Sequence, residues 1–269
     1  MFLSCLVARH EKWKQFSTKW SEALVSGKPL ERHKGSIYFK SFEAETLSGC
    51  FRGFTRLEAD ERVDLLTDIA LDHILYGVVA GMRWKDFTDV VQGQIIKPKG
   101  RLIASAKHPY DFCFHALLAA VLNEQANRKM TEEIDFAFDK QGKLLRRCIQ
   151  WYDENKKHMP DRIRGLVGQI IPGDDKIVLP IQAADLVAWQ SRNASWPHTG
   201  RKTNSVKKIV EAKKLYKRPI SKPELLTFIG KLNTAHSTAQ FLQSMGVPIK
   251  TSDIVHAIRD DILKRTKEK

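Results

Sequence analysis

Two aspartates and a glutamine stand where a short sequence element could aim a polar group at a ligand. The run Phe136-Ala137-Phe138-Asp139 is apolar until its last residue and reads as a strand ending on a carboxylate. Ligands of α/β sheets gather at the carboxyl ends of strands, so a rigid element would aim Asp139 at a site. An aspartate capping the next helix explains the same pattern. The second run is Leu179-Pro180-Ile181-Gln182-Ala183-Ala184-Asp185-Leu186-Val187-Ala188-Trp189. It is almost wholly apolar, which predicts a buried helix with Pro180 in its first turn. Gln182 and Asp185 interrupt it, and their three-residue spacing puts them on one face. A carboxylate on a buried helix is costly unless it is paired, hydrogen-bonded or metal-bound. The structural alternative is an ion pair with Arg192 or Lys140.

A third feature is electrostatic. The 269 residues carry a net charge of +14, which favours polyanionic partners or an anionic membrane surface. The charge is uneven: from Arg201 onward 16 basic residues face 6 acidic ones, a net of +10, leaving +4 for the first 200. Lys202, Lys207, Lys208, Lys213, Lys214, Lys217 and Arg218 cluster there, with Tyr216 among them. Such a cluster could contact phosphates while the tyrosine stacks on a base; a solvated helix face accounts for it equally well.

Other chemistries find little support. His33, His108 and His115 show no spacing that suggests zinc, and His115 within an apolar helix reads as a core histidine. No serine or cysteine lies in a nucleophile motif, and no Gly-x-x-x-x-Gly-Lys-Ser/Thr phosphate loop occurs. Cys5, Cys50, Cys113 and Cys148 form no Cys-x-x-Cys pair, and Cys5, Cys113 and Cys148 sit in apolar or helical runs. That usage predicts free thiols and a cytoplasmic protein. No apolar run approaches the ~20 residues of a membrane span, and residues 1–8 lack the features of a signal peptide.

The elements that must position these residues alternate. Phe2–Val7 reads as a strand, and Trp13, Phe16, Trp20 and Leu24 mark an amphipathic helix. Residues 36–42 read as a strand or extended loop. Thr55-x-x-Glu58 looks like a capping box before a helix that buries Leu65, Leu66, Ile69, Ile74 and Leu75. Strand 77–82, loop 92–108, helix 110–122, strand 134–138, helix 142–157, strand 165–171, a turn at Pro172-Gly173-Asp174-Asp175 and helix 181–192 follow. This order predicts an α/β fold with a mixed sheet flanked by helices over residues 1–197. A basic, helical extension is expected over 198–269, with Ser221-x-x-Glu224 as a second capping box and Thr251 or Ser252 capping the last helix.

The run Gln182 to Trp189 resembles the Gln-x-x-Asp signature of the "domain of unknown function 3800" family. The opening strand and Trp-x-x-Phe-x-x-x-Trp helix, Tyr38-Phe39-Lys40, Phe138-Asp139 and the stretch 168–180 agree in order, so the resemblance covers roughly residues 2–195. It implies a ribonuclease H-like fold with Asp139 and Asp185 as catalytic, metal-binding carboxylates for Mg²⁺ or Mn²⁺ and Gln182 orienting a ligand or phosphate, hence a metal-dependent nuclease or phosphodiesterase. The family's first strand bears an Asp-Glu-Ser-Gly-like motif, and nothing before Phe2 supplies it. The resemblance therefore implies either a misassigned start or an N-terminally truncated domain. Glu43 and Glu45 could approach the site, though exposed loop glutamates explain them as well. Two further expectations stand beside the nuclease: a non-catalytic module that binds nucleic acid or protein with a degenerate site, and a damaged product without activity.

Overall fold

A computed structural model describes residues 1–31, 35–92, 108–140, 142–156, 159, 161–195 and 203–227. His33, residues 93–107 and 196–200, Lys202, Thr251 and Ser252 lie outside them. The chain is mixed α/β. In order come β1 (Phe2–Val7), α1 (His10–Val25), α2 (Ser41–Thr46), a 3-10 turn (Gly49–Phe51), α3 (Arg56–His73), β2 (Tyr76–Gly81), α4 (Trp84–Phe87) and a π turn (Thr88–Gln92). Then follow α5 (Pro109–Asn127), β3 (Ile134–Asp139), α6 (Lys143–Lys156), α7 (Asp161–Arg164), β4 (Val167–Gly173), α8 (Leu179–Ser195), α9 (Asn204–Glu211) and β5 (Leu215–Pro219).

Two compact units divide the chain: Met1–Gly81 with Phe112–Pro219, and Met82–Asp111 with Ile220–Lys269. The first holds two sheets rather than the single mixed sheet expected. β1 pairs antiparallel with β2 from Phe2↔Gly81 to Val7↔Tyr76, and β2 pairs parallel with β5 from Gly77↔Leu215 to Gly81↔Pro219. β3 pairs parallel with β4 from Ile134↔Val167 to Asp139↔Gly173. β5 corrects the expectation of a purely helical segment after residue 198. Its sequence, Leu-Tyr-Lys-Arg-Pro, buries one residue and exposes four, so it lacks the alternation that marks a half-buried strand. Its ladder to β2 makes it a strand.

β2 is buried along its whole length between β1 and β5. A Cβ at Gly77 would come within 2.6 Å of Leu215 and 2.9 Å of Leu6, so the flanking strands' side chains cross over this glycine. Helix α1 buries Phe16, Trp20, Ala23 and Leu24. Helix α3 begins with the predicted Thr55–Glu58 capping box and buries Leu66 and Ile69, whereas Leu65 is 42% exposed. Phe114, Leu117, Leu118 and Val121 of α5 are buried as expected.

Helices α5 and α8 tie the two sheets together. The Tyr76 hydroxyl of β2 donates to Val121 O at 3.2 Å on α5, and Phe114 of α5 meets Phe138 of β3 at 5.0 Å between ring centroids. α8 touches β1, β2 and β3, and Ser4 Oγ of β1 donates to Ala184 O at 2.6 Å. Residues 36–42 form no strand: Ser36 makes an isolated bridge, 37–40 carry no regular structure with Lys40 in extended conformation, and α2 starts at Ser41.

In the second unit the described residues are 82–92, 108–111 and 220–227. Arg83 holds Asp86 through two hydrogen bonds of 3.0 and 2.9 Å. The expected capping box is present: Ser221 N donates to Glu224 Oε2 at 2.8 Å, and Glu224 N to Ser221 Oγ at 3.4 Å. Among the described residues no helix is long and apolar enough to cross a membrane.

Candidate functional site

The parallel pairing of β3 with β4 brings both carboxyl ends to one edge. Asp139 closes β3 opposite Gly173, and Lys140 N continues the ladder to Gly173 O at 3.1 Å. Beyond Gly173 the chain turns on Asp174. Its carbonyl accepts from Ile177 N at 2.9 Å and Val178 N at 2.7 Å, and its carboxylate accepts from Lys176 N at 3.0 Å. This turn delivers Asp175 to the same edge and starts α8 at Leu179.

Gln182 is 1% exposed and fully engaged with protein. Its Oε1 accepts from Trp20 Nε1 at 2.9 Å and from Phe39 N at 3.0 Å, while its Nε2 donates to Asp175 O at 2.6 Å. Asp185 Oδ2 accepts from Ser41 N at 3.3 Å. Alternate amides of an extended chain point the same way, so the amides of Phe39 and Ser41 both meet the face that carries Gln182 and Asp185. The Gln-x-x-Asp pair thus clasps the extended segment against α8. Asp185 itself is exposed, which corrects the expectation of a buried carboxylate. The buried arc of α8 runs through Gln182, Ala183, Leu186, Val187, Gln190 and Ser191, and Asp185 lies outside it.

The clasp presents Lys40. Its Nζ lies 2.6 Å from Asp175 Oδ2. Partial burial by itself pulls the ammonium down, but the hydrogen bond and charge of Asp175, then the charges of Asp139 and Asp185, raise it above the ordinary lysine range. Asp175 is thus the direct partner of Lys40, and the charges of Asp139 and Asp185 also act on this ammonium. Sequence reasoning missed Lys40 and Asp175. The signals present were the position of Lys40 between two residues of the clasped segment and the paired aspartates of the turn.

No protein-family model, curated protein or solved structure matches this chain.

The two glutamates after the segment differ from an exposed loop pair. Glu43 Oε1 accepts from the Tyr38 hydroxyl at 3.1 Å, and Glu43 Oε2 accepts from Cys50 N at 2.9 Å. Burial, followed by the charge and hydrogen bond of Glu43, pushes the Tyr38 phenol up to about 12. Glu45 is half-buried, and its carbonyl accepts from Arg56 Nη2 at 2.5 Å. Both help to hold α2.

Gln182 Oε1 already accepts two hydrogen bonds, and Asp175 is paired with an ammonium that also feels Asp139 and Asp185. Among the described residues no group of three or more His, Cys, Asp or Glu could hold a metal ion.

The basic cluster separates into two kinds of residue. Lys208 Nζ lies 2.7 Å from Asp68 of α3. Lys214 Nζ donates to Leu71 O and Ile74 O, both at 3.1 Å, and so closes the carboxyl end of α3. Arg218 Nη1 donates to Pro219 O at 2.8 Å. The Tyr216 hydroxyl accepts from Arg128 Nη2 at 2.7 Å, and the Arg128 guanidinium lies 5.6 Å from the Tyr216 ring and 4.8 Å from that of Tyr76. Lys207, Lys213 and Lys217 are exposed, and their ammonium groups meet no carboxylate or carbonyl among the described residues.

Proposed function

We propose that this chain binds nucleic acid through the basic surface of α9 and β5, on a ribonuclease H-like domain of the "domain of unknown function 3800" type whose Asp175 is paired with Lys40. The observation that carries the binding reading is the exposure of Lys207, Lys213 and Lys217 without ion-pair partners among the described residues. Exposed ammonium groups displace the counterions of a phosphate backbone, which gives sequence-independent, salt-sensitive binding. The finer fold is supported by the order of elements, by the carboxylate ending β3 and by the open edges of β1 and β3. Among the described residues each of these strands pairs on one side only, and α8 touches both.

The binding reading is tested by the fluorescence anisotropy of a labelled oligonucleotide titrated with the full chain at two salt concentrations. Binding that weakens steeply with salt is expected. Absence of binding at low salt, or affinity indifferent to salt, would sink it.

A second reading is favoured by one feature, the charges of Asp139, at the end of β3, and Asp185, on α8, acting on the same lysine. It is Mg²⁺- or Mn²⁺-dependent hydrolysis of a nucleic-acid phosphodiester, with Asp139 and Asp185 holding the ion once Lys40 has moved aside. It requires Mn²⁺-dependent cleavage that Asp185→Asn abolishes while leaving the fold intact. Equal cleavage by parent and variant would refute hydrolysis and leave the binding reading in place.

A further inference from the structure

One stripe of α8 leads from Asp185 to a half-buried tryptophan that braces an exposed phenylalanine. Asp185, Trp189 and Arg192 follow at four- and three-residue steps, so they share a helix face. Opposite them, Ser41 donates its amide to Asp185, and the next residue, Phe42, packs edge-on against Trp189 with ring centroids 6.4 Å apart and planes at 75°. The Arg192 guanidinium lies 5.0 Å from the Trp189 ring. Phe42 nevertheless remains 60% exposed. It is a large apolar ring, held on one side by an indole and open to solvent on the other.

Two exposed cations lie over rings that touch Phe42 or its helix. Arg192 stacks on Trp189, and Lys176 lies 5.3 Å from the ring of Tyr38, whose hydroxyl is bound by Glu43, the residue after Phe42. Neither cation pairs with a carboxylate among the described residues. An aromatic face beside unpaired cations is the arrangement that takes a flat ring attached to phosphates: the base stacks, and the backbone meets the cations.

We infer that Phe42, braced by Trp189, is a stacking platform for an unpaired base, and that the nucleic acid this chain binds is single-stranded. The inference rests on the binding reading above and supplies its substrate class. Bases in a duplex are stacked on one another and offer no free face to Phe42, whereas every unpaired base does. Arg192 and Lys176 take the flanking phosphates, and the platform tolerates any sequence because every base has a π face.

The test compares two labelled strands of equal length, oligothymidylate and its abasic counterpart, with a chelator present so that hydrolysis plays no part. Phe42→Ala removes an exposed ring and spares the core. It is expected to weaken oligothymidylate binding roughly five-fold or more, the lower end of what one base on an aromatic ring contributes. It should leave abasic binding unchanged, and Phe42→Tyr should restore the parent affinity. Equal affinity of parent and Phe42→Ala for oligothymidylate overturns the platform, as does a parent protein that binds both strands alike. A combined Lys207→Ala, Lys213→Ala and Lys217→Ala variant separates the two failures. If it alone loses both strands, the binding reading stands and the platform falls; if the parent binds neither strand, both fall.

Discussion

The acidic edge and the basic surface of this protein use charge in opposite ways. At the edge, carboxylates from β3, from the turn before α8 and from α8 act on one ammonium, and α8 holds the segment that bears it. On the basic surface, cations adjacent in sequence part company: Lys208 and Lys214 fasten α9 and β5 to α3, while Lys207, Lys213 and Lys217 face solvent. The difference teaches that charge density along a chain does not separate fastening groups from binding groups. The surroundings of each ammonium do.

The sharpest way to break the comparison is Gln182→Leu. It strips the buried Trp20 Nε1–H and Phe39 N–H of their acceptor, and each unsatisfied donor costs about 1–3 kcal/mol. A loss of roughly 2–6 kcal/mol in denaturant-induced unfolding is expected. A loss below about 1 kcal/mol would mean that α8 does not hold the segment through this side chain.

Next in size is Lys214→Ala, which opens the carboxyl end of α3. It should cost about 1–2 kcal/mol. Its neighbour Lys213, equally exposed, makes no such bonds among the described residues, and Lys213→Ala should stay within about 0.5 kcal/mol. Similar losses for the two would erase the division of the basic surface.

Lys40→Met probes the edge itself. The Lys40 side chain is 41% exposed, so solvent screens its pair with Asp175, and a loss of about 1 kcal/mol or less at neutral pH is expected. The sign with pH follows from the raised folded value. The contribution is complete below the unfolded lysine range near 10.5 and is lost as pH rises through the folded value. Unfolding curves of parent and variant should therefore converge in strong alkali. A gap that is constant with pH would show that packing of the lysine stem, not its charge, accounts for the difference.

The smallest effect on folding belongs to the combined Lys207→Ala, Lys213→Ala and Lys217→Ala variant. Its unfolding should match the parent's, while the slope of log affinity against log salt falls by about 2–3. An unchanged slope would place the phosphate contacts elsewhere.

Much of this was legible in the sequence because it is local. Strands β1 to β4, the long helices α1, α3, α5, α6 and α8, both capping boxes, the carboxylate ending β3 and the shared face of Gln182 and Asp185 follow from periodicity and from the residues at element ends, whereas the short helices α2, α4 and α7 carry no such period. β5 was not legible, since an exposed edge strand carries no alternation of its own. Lys40 was visible only as one residue of a motif, and Asp175 only as part of a turn.

The sequence by itself thus determined which residues end strands and which share a helix face, because those relations span a few residues and obey fixed backbone periods. Only the tertiary structure decided what the polar groups do. Gln182 and Asp185 meet amides 143 and 144 residues away along the chain, and the acidic edge finds its cation on that same distant segment. Such meetings depend on how α8 packs beneath an extended stretch of chain, and no period in the sequence encodes that distance.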